Sequence, residues 1–168
     1  AEDIGGSVES FASMMNTKAV EIGRKGTNFV NANGVHDENH YSTAYDLALM
    51  GRYAMQNETF RKMVDTVTYT LPVTNKYDKA DRVFLNTNSL INEKSKQYYE
   101  YATGIKTGYT DPAKNCIVAS AKKDDLELIC VVMGAENTTD SNKFKDCVTL
   151  FDFGFENYTY KNLSQKDG

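Results

Sequence analysis

The chain has 168 residues, 40% hydrophobic and 25% charged, which is enough apolar material for one globular domain and too much for a disordered chain. Its 19 Lys and Arg against 23 Asp and Glu give a net charge of −4, and the basic residues are scattered, so the basic face that a nucleic-acid backbone requires is not found. The longest apolar runs, such as Ile129 to Met133, fall far short of the about 18 residues of a membrane span, and no charged-then-apolar leader pattern opens the sequence.

Val8, Phe11, Ala12, Met15, Ala19 and Ile22 recur at helical spacing, with Ser7 as N-cap and Gly23 as the glycine that ends the helix. An irregular segment follows from Thr27 to Ser42, with Asn33-Gly34 as a turn. Thr43 and Asp46 read as a capping box ahead of a helical stripe of Ala44, Leu47, Ala48, Gly51 and Met55. Phe60, Met63, Val64 and Val67 predict a third, short helix, and the period then changes to two, so that Val67 to Val73 reads as a strand or extended arm. Asn75 to Gln97 is polar and poorly patterned. Strands are predicted at about Tyr99–Thr107, Cys116–Lys122 and Leu126–Gly134, the last two joined by a polar turn into an antiparallel meander. A final helix carries Phe144, Cys147, Val148, Phe151 and Phe155 on one side. Helices before and after an antiparallel sheet make the predicted class α+β, in a single unit without repeats.

Several residues invite a chemical reading. His36 and His40 in "HDENH" have the i, i+4 spacing of a helical zinc site, but Asp37 stands where a metalloprotease needs Glu, and the surroundings predict a loop. No metal site is expected there. Cys116, Cys130 and Cys147 show no C-x-x-C spacing and read as free thiols. Cys116 and Cys130 fall on two arms of one hairpin, whose register decides whether they face each other. Asn57, Asn137, Asn157 and Asn162 open N-x-Ser/Thr sequons, which an Asn-rich composition accounts for. Tyr98, Tyr99 and Tyr101 read as cross-strand packing, with stacking on a sugar or base as the other reading.

Lys106, Thr107 and Gly108 stand in a row at a strand end. Taken alone they are compatible with an exposed strand end. On a strand beside a cleft, they would offer an anionic ligand a charge, a hydroxyl and an unobstructed backbone. A substrate that ends in a carboxylate and docks as an added strand would use all three.

The longer strings "FASMMNTKAVEIGRKGTNFVNANG", "HYSTAYDLALMGRYAM", "FLNTNSLI", "YATGIKTGYT" and "NCIVASAKKDDLELICVVMGAE" occur in order along the chain. Together they resemble the serine D-alanyl-D-alanine carboxypeptidases, the low-molecular-mass penicillin-binding proteins, from about Ala1 to Tyr160. The resemblance implies a partial transpeptidase/β-lactamase-like fold and a reaction without metal or organic cofactor. It also implies an extracytoplasmic location in the cell envelope. Its implied partners are peptidoglycan stem peptides ending in D-Ala-D-Ala and, for the whole protein, β-lactams. Lys106 and Thr107 would hold the terminal carboxylate and assist proton movement, Gly108 would admit the peptide, and the Tyr109 N–H would be one of two oxyanion donors. Lys143 stands where the family often has an arginine, offering a point charge in place of a planar fork.

The family's other two motifs do not follow the required order. Ser-x-x-Lys occurs only at Ser120–Lys123, after Lys-Thr-Gly and on an outgoing strand, and no Ser-x-Asn is found. The resemblance therefore implies a single partial penicillin-binding domain over 1–168, lacking its N-terminal part and stopping before the β-rich domain and membrane anchor of many relatives. Membrane contact would come only through those segments. Alone, such a chain is expected to show no turnover and no penicillin adduct. The alternatives are a class A-like β-lactamase, a non-catalytic cell-wall binding module, and a zinc hydrolase built on His36 and His40.

Overall fold

Helix α1, Glu2–Gly5, is a single turn that ends on Gly6 at φ 80°, and α2, Val8–Ile22, begins as the sequence predicts. Ser7 Oγ accepts from Ser10 N at 3.1 Å, and Gly23, left-handed at φ 99°, closes the helix by donating to the Ala19 and Val20 carbonyls. The computed structural model describes residues 1–79, 81–136 and 142–161. Thr43 Oγ1 accepts from Asp46 N at 3.1 Å to start α3, Ala44–Ala54, and Asn57 caps α4, Glu58–Asp65, through Thr59 N and Phe60 N.

Strand β1 is only Thr68–Thr70, paired antiparallel with β2, Val83–Leu85, and all six residues are exposed. The predicted strand Val67 to Val73 is thus shorter and has no buried face, because its only strand partner among the described residues is another exposed strand. That partner, and a 3₁₀ turn at Ser89–Ile91 whose Leu90 is fully buried, lie in the segment that looked unpatterned.

The main sheet has the order β3 (Ala102–Thr110), β4 (Lys114–Lys123), β5 (Leu126–Ala135), all antiparallel. The β4–β5 turn is two residues long, with Asp124 at φ 52° supplying the left-handed conformation that such a tight hairpin needs. β3 starts and ends later than predicted, since Tyr99 and Tyr101 leave the ladder to pack on the last helix, α5, Asn142–Asn157. Tyr99 stacks on Phe151 at 5.9 Å, and Tyr101 meets Phe155 edge-on at 5.8 Å. Packing, not ligand stacking, is their use.

Helices cover both faces of the sheet. Alternation along β4 sends Ile117, Ala119 and Ala121 to one side, where they join Cys130, Phe144, Cys147, Phe151 and Leu90 in the buried core under α5. It sends Val118 to the other, under α3. There a Cβ on Gly51 would lie 3.1 Å from Val118 Cγ1. On the α5 side a Cβ on Gly154 would come within 2.5 Å of Leu128 Cδ1, so glycine sets the helix-to-sheet distance.

The hairpin arms do not bring Cys116 and Cys130 together. Cys116 lies opposite Gly108 and Cys130 opposite Ala119, with a register shift between Asn115 and Ile117. Cys130 instead contacts Cys147 of α5. Of the sequons, Asn57 is spent on a helix cap, Asn157 donates to the Phe153 carbonyl, and Asn137 and Asn162 lie outside the described residues.

Candidate active site

Lys106 to Tyr109 run along β3, which pairs only with β4, so one edge of the strand carries no partner among the described residues. That edge borders a cleft of about 570 Å³. The Lys106 amine is exposed and donates to the Thr107 carbonyl at 2.7 Å, while Gly108 leaves the strand surface open. Thr107 Oγ1 lies 2.6 Å from Thr87 Oγ1.

Thr87 is held by its neighbours. The Asn86 side chain donates to the Val64 and Thr66 carbonyls at 3.1 and 3.2 Å, and Asn88, fully buried, accepts from Leu90 N at 3.2 Å. The two asparagines anchor the chain on either side of Thr87, whose hydroxyl meets that of Thr107. Nothing in the sequence pattern singles it out.

Lys143, in the first turn of α5, reaches the same cleft from below. It is only 9% exposed, and its amine donates to Asn115 Oδ1 at 3.0 Å. Asn115 is the β4 partner of Tyr109, so this contact joins α5 to β4 beside the Lys-Thr-Gly segment. Burial holds the Lys143 amine below the usual lysine value; Cys116 pushes it up, and the charge of Lys106 pushes it down again. The Tyr109 side chain is exposed and donates to Asp111 Oδ1 at 2.9 Å, which raises its phenol.

The opposite rim belongs to the loop before α3. Asp46 does not return to its own N-cap as a capping box would. Fully buried, it accepts from Lys25 N at 2.9 Å and, through the other oxygen, from Gly26 N at 2.8 Å and the Thr27 hydroxyl at 2.6 Å. These bonds, the Thr27 hydroxyl foremost, hold its carboxyl below the ordinary range. His40 Nδ1 accepts from Val30 N at 3.3 Å, and its ring meets Phe29 edge-on at 5.5 Å. His36 and His40 lie in irregular backbone, as predicted, but they line the cleft in place of facing bulk solvent alone. Among the described residues no group of three His, Cys, Asp or Glu gathers around them.

Among the described residues two lysines and two histidines line this cleft and no acidic side chain does, although the whole chain carries a net charge of −4. Ser120 is elsewhere: fully buried in the sheet and hydrogen-bonded to Thr103 at 2.8 Å, it is closed to substrate.

An antiparallel sheet between helices, with a Lys-Thr-Gly edge strand beside a cationic cleft, is the architecture of the transpeptidase/β-lactamase-like proteins. The chain belongs to the D-alanyl-D-alanine carboxypeptidase family, whose model matches residues 1–137. It is 40% identical to the D-alanyl-D-alanine carboxypeptidase DacF of Bacillus subtilis, over 99% of this chain and 40% of the relative. It is 34% identical to DacA of Haemophilus influenzae over 97% of this chain and 39% of that protein. The crystal structure of the Streptomyces K15 DD-transpeptidase superposes with a TM-score of 0.79 at 32% identity, covering 89% of this chain and 55% of that one. The chain thus spans about two fifths of the length of these curated relatives.

Proposed function

We propose that this chain forms the carboxylate-binding wall of a serine D-alanyl-D-alanine carboxypeptidase, as part of a penicillin-binding domain in the cell envelope. The observation that carries the reading is the cationic cleft along an open strand edge, with Lys106, Thr107 and Lys143 converging on it and no carboxylate opposing them among the described residues. A stem peptide lies along β3 as an added strand, its backbone passing Gly108. Its terminal carboxylate accepts from the Thr107 hydroxyl and the Lys106 amine, and Lys143 supplies a second positive charge behind them. A serine hydroxyl attacks the penultimate D-Ala carbonyl, and the Tyr109 N–H is one donor to the oxyanion that forms. The last D-Ala leaves, and water then releases the acyl group. Charge in this wall selects a free carboxylate over an amide or ester.

The nucleophile of this reaction is not among the described residues, because the only Ser-x-x-Lys in the sequence places its serine in the buried sheet. The 168-residue chain by itself accordingly takes no penicilloyl group, and a stable penicilloyl ester found on it by mass spectrometry overturns that assignment.

The binding role is tested by amide NMR of the chain titrated with an N-acetylated peptide ending in D-Ala-D-Ala, and with the same peptide amidated at its C-terminus. Shifts centred on Lys106 to Tyr109 with the acid and not the amide support the reading. Equal response to both peptides, or response only elsewhere, refutes it. For the enzyme that carries the chain, β-lactam hydrolysis faster than D-Ala release would move it to the β-lactamases.

A further inference from the structure

Two thiols meet in the centre of the core. Cys130 of β5 is 6% exposed and Cys147 of α5 is fully buried, and their sulfurs lie 3.5 Å apart in a thiol–thiol hydrogen bond. The cleft does not use either of them. We propose that Cys130 and Cys147 are a disulfide-forming pair, joined when the chain folds in the presence of a low-molecular-mass disulfide such as oxidised glutathione.

The geometry selects this pair over the other two. A disulfide needs the sulfurs at about 2.05 Å, and these two already face each other across one β5–α5 contact. Cys116 has neither neighbour. Its thiol donates to the Ala113 carbonyl at 3.3 Å, its ladder partner is Gly108, and it lines the cleft.

The exchange balances as follows. The Cys130 thiolate attacks one sulfur of glutathione disulfide and expels a glutathione thiolate. The Cys147 thiolate then attacks the Cys130 sulfur of the mixed disulfide and expels the second. Two electrons and two protons pass from the protein thiols to two glutathiones. Because both cysteines are buried in the folded chain, the exchange takes place before α5 docks or during its local opening.

The bond would have a consequence at the site. Cys147 lies four residues after Lys143 on one face of α5, so a tether to β5 pins the turn that carries the buried amine. The pairing itself does not depend on the catalytic reading and can fail or hold independently of it.

The test is to fold the reduced, denatured chain in a glutathione buffer, quench it with an alkylating agent, and map the peptides without reduction. The expected product is one cross-link, Cys130 to Cys147, with Cys116 alkylated, a mass lower by two hydrogens before alkylation, and a higher denaturant midpoint than the reduced form. Cys116→Ser should give the same cross-link in undiminished yield. Three alkylated cysteines, a mixture of pairings, or a cross-link that includes Cys116 overturns the proposal.

Discussion

The contact between Thr87 and Thr107 offers a quantitative test of how the edge strand reads a carboxylate. Their hydroxyl oxygens are 2.6 Å apart, so one hydrogen lies between them. When Thr87 donates it, the Thr107 hydrogen is left to point at a bound carboxylate. Replacing Thr107 with Val removes a hydrogen bond to a charged group, a loss of about 1.5–3 kcal/mol, or about 12- to 150-fold at 1.4 kcal/mol per tenfold. Thr87→Val removes a neutral hydroxyl bond worth about 0.5–1.5 kcal/mol, or about 2- to 12-fold. Because Thr87 acts only through Thr107, the double variant should lose no more than Thr107→Val alone, and the coupling energy should equal the whole Thr87 effect. The assay is kcat/KM for D-Ala release by the enzyme carrying this chain, with unchanged melting temperatures as the control for folding. Losses that add across the two sites, or a Thr107→Val enzyme within about twofold of its parent, would show that the reasoning is wrong.

Other outcomes follow from burial and charge. Lys106→Gln removes a like charge, so the Lys143 titration followed by side-chain NMR should move upward, and an unchanged titration would refute the coupling. Since the folded Lys143 pKa lies below the unfolded 10.5, the unfolded chain binds more protons between the two values, and this group's contribution to stability grows as pH rises through that window. Asp46 follows the same sign at low pH. Its stabilisation is complete above the ordinary 3.8 and is lost as pH falls through its lowered folded value, so Asp46→Asn should flatten the acid limb of stability measured by denaturant unfolding. A limb unchanged by that substitution would count against the buried carboxylate knot. Phe151, 1% exposed, should cost about 3–5 kcal/mol as Phe151→Ala in urea unfolding, a large share of the about 5–15 kcal/mol that holds a domain together. A cost under about 1 kcal/mol would mean that the core under α5 collapses around the gap.

Local rules located what local physics decides. Ser7, Gly23 and Thr43 act at helix ends as their types predict, and the period of the apolar residues placed the meander and the last helix. Asp46 shows where such rules stop: the spacing from Thr43 was right, yet its carboxylate answers to three groups some 20 residues earlier in the chain. Cys116 and Cys130 depended on a register that a bulge shifts, which no alternation pattern reveals. At the site, the resemblance singled out Lys106, Thr107, Gly108, Tyr109 and Lys143, and the structure brings all five to one cleft. It was silent on Thr87 and Asn115, whose roles arise from hydrogen bonds across 20 and 28 residues of chain.

The open edge of β3 has a cost beyond the reaction. Among the described residues no strand pairs with this edge, and an edge that receives one extended peptide, as proposed, would also receive the same strand of a neighbouring molecule. Covering it would abolish the proposed docking surface, so a capping loop or a strand-breaking proline would conflict with that use. An exposed lysine in the middle of the edge resolves the conflict, since two such strands meeting side by side would set like charges against each other. On the proposed function, the residue that attracts a carboxylate would then also be the one that disfavours pairing between copies, and a neutral replacement would surrender both.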